Sequence, residues 1–163
     1  MKASLEKITV APEQSFLAFE YEAEAFDAPW HFHPEYELTY IKSSNGIRYV
    51  GNHLADFEPG DLVLLGANLP HCWRNVSTEG EPANSLVIQW SASLFGEQPE
   101  FAKIRQLLIT AERGVRFSER TAQQVSAQMA AIIAADPLEA YLLLVRLLDQ
   151  LTRAEDTQLL ADR

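Results

Sequence analysis

Residues 29–37 read Pro29-Trp30-His31-Phe32-His33-Pro34-Glu35-Tyr36-Glu37, and residues 68–75 read Asn68-Leu69-Pro70-His71-Cys72-Trp73-Arg74-Asn75. The chain has four histidines, and three of them sit in these two stretches. On a β-strand alternate side chains share a face, so a strand through residues 31–37 turns His31, His33 and Glu37 the same way. Imidazoles at i and i+2 stand about 6.5 Å apart along such a strand, close enough to tilt towards one ion. Glu37 closes the set from the same face and His71 from a neighbouring strand. Three imidazoles and a carboxylate suit Zn, Ni, Fe, Mn or Cu without choosing among them. A His-x-His alone is weak evidence, since a histidine in a half-buried strand is more often a hydrogen-bonded core residue. Glu37 in register and a later His71 are what favour the ligand reading.

Around these stretches, residues 1–92 read as β. Ser15–Phe26 carries Glu20, Glu22 and Glu24 at period two, a strand with one wet face. Tyr36–Ile41, Ile47–Val50, Leu62–Leu65, His71–Asn75 and Ser85–Trp90 follow as short strands. Ser43-Ser44-Asn45-Gly46 has the composition of a hairpin turn, Glu58-Pro59-Gly60-Asp61 of a turn, and Gly66–Pro70 and Thr78–Pro82 of loops. Strands at this spacing predict a barrel or sandwich. If Glu37 faces inward, so do Thr39 and Ile41. A two- or four-residue turn after Ile41 then brings Arg48 inward, and a three-residue turn reverses it. Trp73 shares the face of His71, and Gln89 is polar on an apolar last strand. Thr39, Arg48, Trp73 and Gln89 are therefore candidate contacts to a polar small molecule. The alternatives are an edge position for Arg48 and a core position for Trp73. His53 reads as a loop histidine without a role, and Trp30 and Trp90 as core.

From Phe95 the period changes to that of helices. Phe101, Ile104, Leu107 and Leu108 lie at helical spacing after Pro99. Gly114-Val115-Arg116-Phe117 breaks that helix. Ser118 caps a second, with Ala122, Val125, Met129, Ile132 and Ile133 as its stripe. Asp136-Pro137 opens a third, from Leu138 to about Arg153. Its apolar residues form two rows: Leu138, Leu142, Val145 and Leu148, and Leu144, Leu147 and Leu151. A barrel covers one row, and the second either meets a copy of itself in a homodimer, as expected here, or is buried with the first inside one subunit. The expected division is a barrel over 1–92 and a helical segment over 93–163.

At 163 residues the chain is long enough for one domain with its own core. Its 13 basic and 23 acidic residues give a net charge of −10, which disfavours contact with a phosphate backbone. The lone Cys72 excludes an internal disulfide and fits a reducing compartment. No run of about 18 apolar residues exists, so no membrane span is expected, and MKASLEKITVAPEQ lacks a signal-peptide core. The expected location is the cytoplasm.

The two histidine stretches resemble the paired motifs of the cupin superfamily, which implies a small antiparallel β-barrel, a jelly roll, followed here by about three α-helices. The run from Pro29 to Asn75 is similar to the N-terminal sensor domain of AraC/XylS-type transcription regulators. GVRFSERTAQQVSAQM and the leucine-rich helix extend that resemblance over nearly the whole chain. The motif's first glycine is Ala25 here, its second is Ser44 with Gly46 two residues late, and Gly66-x-Asn68 replaces a Pro-x-Gly. The four ligand positions are intact. The resemblance implies a domain that binds a small effector, a sugar or small acid, and dimerises through the helices after the barrel. DNA is then read by a separate helix-turn-helix part that residues 1–163 do not contain. On that expectation the chain does not bind DNA alone, and is a piece of a longer regulator or a free-standing sensor. The other class open to this fold is a metal-dependent cupin enzyme, a dioxygenase or isomerase.

Overall fold

A computed structural model describes residues 2–76 and 80–162, so Thr78 and Glu79 of the expected loop lie outside the described residues. The strands are β1 (Ser4–Leu5), β2 (Phe16–Ala23), β3 (His31–Phe32), β4 (Tyr36–Ser43), β5 (Gly46–Val50) and β6 (His53–Phe57). They continue as β7 (Leu62–Leu65), β8 (His71–Arg74), β9 (Ala83–Trp90), β10 (Val115–Phe117) and β11 (Thr157–Leu159). The helices are α1 (Ala102–Thr110), α2 (Glu119–Ala134) and α3 (Pro137–Leu151). Two sheets form, a five-stranded one in the order β1-β3-β8-β5-β6 and a six-stranded one in the order β11-β10-β7-β4-β9-β2.

Period two sorts the six-stranded sheet into two cores. Leu62 and Leu64 of β7, Leu38 of β4, and Leu86, Ile88 and Trp90 of β9 pack outward against the helices. Val63 and Leu65 of β7 and Ile41 of β4 pack inward with Phe26, Phe57 and Trp73. A sheet buried on both faces needs apolar residues on both, which is why β7 is the unbroken run Leu-Val-Leu-Leu. Glu37, Thr39, Ser85 and Gln89 have the inward parity, so polar groups enter the barrel interior on otherwise apolar strands.

Several expectations are corrected. The strand drawn through residues 31–37 does not exist: β3 ends at Phe32, the chain bends at Pro34 and Glu35, and β4 starts in the other sheet. Residues 43–46 likewise make no hairpin, because β4 and β5 belong to different sheets and β5 pairs with β6 and β8. His53 is the first residue of the edge strand β6, paired with Val50. Gly114 to Phe117 is more than a break, since β10 joins β7 in the barrel sheet and β11 joins β10. The boundary at 92/93 therefore does not separate barrel from helices.

The family's missing glycines have a local account. Ser44 takes φ +84° and Asn68 φ +62°, the left-handed region those glycines would occupy without strain. Asn75 Nδ2 donates to Ser44 Oγ and to the Asn45 carbonyl (2.8 Å for the latter), and this bonding supports the strained turn. Gly46 is required on other grounds, because a Cβ there would overlap the Arg74 carbonyl.

The two rows of α3 do not divide as expected: the second is buried within the subunit, and the first splits, with Leu148 buried, Val145 half-buried and Leu138 and Leu142 exposed. Leu144, Leu147, Leu148 and Leu151 are buried against α2 and the sheet, while Leu138 and Leu142 are exposed. Each buried leucine contributes about 1.5–3 kcal/mol through the area it removes from water. A Leu147→Glu/Leu151→Glu double substitution therefore unfolds the subunit rather than dissociating a dimer. Ser118 caps α2, accepting from the Thr121 amide at 3.3 Å, whereas Asp136 makes no side-chain cap on α3.

Candidate metal centre

His31, His33 and His71 meet inside the barrel mouth because β3 and β8 are neighbours, with His31 opposite His71 in register. His33 follows β3 at the crossing between sheets, and Glu37 reaches the same point from β4. Each histidine offers one nitrogen, and the three nitrogens lie within 4.8 Å of one another. All four residues are buried.

The orientation of the rings follows from their other nitrogens. His31 Nδ1 donates to the Pro29 carbonyl (2.7 Å), His33 Nδ1 to Glu35 O (3.0 Å) and His71 Nδ1 to Leu69 O (2.7 Å). A carbonyl only accepts, so each Nδ1 carries the proton and each Nε2 faces the site. This is the arrangement by which proteins fix imidazole ligands of metals. His71 Nε2 is buried without a partner, 3.6 Å from Glu37 Oε2. Glu37 is held on both oxygens: His33 Nε2 lies 3.1 Å and Gln89 Nε2 2.8 Å from Oε1, and Thr39 donates to Oε2 at 2.7 Å.

Burial lowers the His31 pKa, and the charge of His71 adds to it, outweighing Pro29 and Glu6. Burial pulls His33 down as well, but the bond and charge of Glu37, with the Glu35 carbonyl, raise it above its usual value. Burial works to raise Glu37, yet the His71 charge and the His33 bond hold its carboxyl well below the usual range. Converging Nε2 atoms, an orphaned nitrogen and an ionised carboxylate fit a divalent first-row metal better than they fit one another. His31, His33, His71 and Glu37 would hold it.

Above these donors lies a cavity of about 150 Å³ lined by Phe19, Tyr21, Phe26, Ile41, Thr39, Trp73, Val87 and Gln89. It is smaller than the roughly 300–1,000 Å³ of drug-sized sites. Thr39, Trp73 and Gln89 line it; Arg48 does not. Arg48 is turned inward but donates to Asp61 at 2.6 Å, and Asp61 also accepts from Arg116 Nε (3.0 Å) and Trp73 Nε1 (3.1 Å). Sequence reading missed Asp61, because its Glu58–Asp61 context is that of a turn. It also missed Glu6, whose Oε2 sits 3.0 Å from His31 Nε2 and which carries no motif. Trp90 is core as expected, while Trp30 lies outside the barrel, edge-on to Tyr49. Cys72, opposite in parity to His71, also faces outward beside Tyr49 and Arg74, and burial raises its thiol pKa.

An antiparallel barrel of two facing sheets with histidines and a carboxylate converging inside its mouth is the cupin fold, here followed by three α-helices. Residues 17–88 match the sequence model of the family described as Cupin domain. ToxT from Vibrio cholerae O395 is similar in structure at 13% identity and TM-score 0.52, over 87% of this chain and 56% of ToxT. A Cupin 2 conserved barrel domain protein from Salinispora arenicola CNS-205 aligns at 19% identity and TM-score 0.43, over 54% of this chain and 75% of that one. An oxalate decarboxylase of Bacillus subtilis aligns at 18% identity and TM-score 0.40, over 58% of this chain and 29% of the enzyme. At these identities the likenesses describe fold. No curated protein sequence matches the chain.

Proposed function

We propose that the chain is the effector-binding and dimerisation part of an AraC/XylS-type regulator, which senses a small polar molecule at a metal held by His31, His33, Glu37 and His71. The observation that carries this reading is the helical layer. It is woven into the barrel through β10, it covers the sheet face away from the cavity, and it leaves Leu138 and Leu142 exposed. The exposed Leu138 and Leu142 are the apolar surface that this layer offers to a second copy. A metal held there would supply a Lewis-acid anchor for a hydroxyl or carboxylate of the effector. Thr39 and Gln89 hold the Glu37 carboxylate, and Trp73 offers a ring face for stacking. The dimer contact is assigned to the Leu138 and Leu142 row of α3, contact with DNA to a separate part of the regulator, and the location to the cytoplasm.

The complete donor set, together with the Glu6 and Asp27 carboxylates on the cavity lining, favours a second reading as a metal-dependent cupin enzyme. Thermal shifts of cobalt-loaded protein with a panel of sugars and small acids, followed by mass analysis of the recovered compound, separate the two. A sensor raises Tm and returns its ligand unchanged, and turnover assigns the enzyme instead. Light scattering on the same protein and on Leu138→Glu/Leu142→Glu tests the dimer. A monomeric wild type removes that part of the proposal.

A further inference from the structure

Strands β2, β9 and β4 line one wall of the barrel cavity in rows, and polarity falls from row to row. Glu37 lies opposite Gln89, Val87 lies between Thr39 and Phe19, and Ser85 lies between Ile41 and Tyr21. Successive rows stand about 6.7 Å apart along the strands. Phe26, stacked on Tyr21 with ring centroids 6.0 Å apart, and the buried Trp73 add further aromatic wall. The donors near Glu37 are already committed. Thr39 Oγ1 and Gln89 Nε2 donate to its two oxygens, and Trp73 Nε1 donates to Asp61. The Thr39 oxygen can still accept, because a hydroxyl carries one donor and two lone pairs. Among the described residues no lysine or arginine lines the cavity, whereas the exposed carboxylates of Glu6 and Asp27 do. A cavity of about 150 Å³ with apolar walls is the size that holds one benzene ring.

We infer that the ligand of this cavity is a phenol, a single flat aromatic ring with one hydroxyl, its oxygen towards Thr39 and its ring among Phe19, Tyr21, Phe26, Trp73 and Val87. The inference rests on the reading of the cavity as the effector site and narrows that reading to one chemical class; it does not depend on a bound metal. A sugar of similar size brings several hydroxyls, and each one buried without a partner is costly. A carboxylate only accepts, so it meets neither an uncommitted donor at Thr39 nor a lysine or arginine, and Glu37, Glu6 and Asp27 repel it. A phenol gives its one hydrogen to the Thr39 oxygen. Its ring meets aromatic walls, where edge-to-face contacts favour it over a saturated ring.

Calorimetric titration of metal-free and cobalt-loaded protein with phenol, benzoate and glucose tests this. Phenol is expected to bind at least about tenfold more tightly than the other two in both states. Two variants locate the ring. Val87→Phe fills the cavity and should abolish phenol binding. Phe19→Ala removes a half-buried side chain, should keep the wild-type circular dichroism, and should admit a naphthol that wild type refuses. Benzoate or glucose binding as tightly as phenol overturns the inference and leaves the effector site standing. Naphthol refused by a folded Phe19→Ala places the ring elsewhere and overturns it too. Absence of phenol binding has the same consequence, and absence of binding by all three probes also removes the cavity as the effector site. Phenol that binds as expected but is recovered chemically changed upholds the ligand class and moves the chain to the enzyme reading.

Discussion

The barrel interior holds two clusters of buried charge, one around Asp61 and one around Glu37, and they differ in how their hydrogen-bonding capacity is met. Asp61 accepts from Arg48, Arg116 and Trp73, so one carboxylate faces two guanidinium groups and an indole N–H. Within that cluster Arg48 Nε alone lacks a partner among the described residues. Glu37 faces His33 and His71, the exposed Glu6 faces His31, and each of the three imidazoles donates its Nδ1–H to a backbone carbonyl. The first cluster meets its charges with protein groups and leaves one Arg48 N–H unpaired. In the second, Glu37 accepts from Gln89 and Thr39, and the nitrogen left without a partner is His71 Nε2. The contrast is one of hydrogen bonding: Asp61 meets N–H donors on both oxygens, whereas beside Glu37 the His71 Nε2 stays unpaired, and the metal reading proposed above rests on that nitrogen. Trp73 touches both, donating to Asp61 while its ring stands 6.2 Å from that of His71.

The largest effect that tests this contrast is on stability. Asp61→Ala strands Arg48 inside the barrel and is expected to lower unfolding free energy by about 3–5 kcal/mol in denaturant titrations. His71→Ala in metal-free protein should cost much less, about 1 kcal/mol for its bond to Leu69 plus whatever space fails to close. Equal losses would erase the distinction between the clusters.

A smaller effect concerns metal content. The His31→Ala/His33→Ala double variant should lose at least about a hundredfold in metal affinity, or roughly 2.7 kcal/mol. Asp61→Asn, in whatever fraction folds, should keep its metal. Elemental analysis after loading and gel filtration decides, and wild-type metal in the double variant would end the assignment of the site.

The smallest effect is a dependence on pH. In metal-free protein His33 has a folded pKa above its usual 6.5, so its contribution is fully present below pH 6.5 and disappears as pH rises through the folded value. Glu37 has a folded pKa below its usual 4.5, so its contribution is present above pH 4.5 and is lost as pH falls through the folded value. Their mutual support is therefore strongest between about pH 4.5 and 6.5. His31, lowered by burial, opposes His33 in the range below 6.5. Metal binding displaces protons and strengthens with pH. The gap in Tm between metal-loaded and metal-free protein should widen from pH 6 to 8. A gap that narrows over this range would mean that protons, rather than a metal, are what the cluster is built to hold.

The candidate donor set was legible, because His31, His33, Glu37 and His71 fall in two short motifs whose spacing is readable without a structure. The reason they converge was not. Strand parity placed three of them on one face, whereas a change of sheet at Pro34 and the pairing of β3 with β8 bring them together. Arg48 was placed inside the barrel by counting through a hairpin that does not form, so its inward turn was reached by the wrong route. Its partner is Asp61 rather than a ligand, a contact across 13 residues that no local pattern announces. β6 was overlooked because an edge strand with exposed Leu54 and a polar Asp56 lacks an apolar face.

What the sequence determined by itself is whatever repeats locally. Period two gave the strands their inner and outer faces, period 3.6 gave the three helices, and the spacing of histidines gave the candidate metal donors. These depend on neighbours along the chain, whose geometry the backbone sets. The tertiary structure alone decided three things: which apolar row of α3 is covered, that Glu6 reaches His31 across the barrel mouth, and that Asp61 rather than a ligand receives Arg48. Each of these depends on which distant surface arrives first to take water's place, and both candidate faces of α3 are apolar enough to accept it.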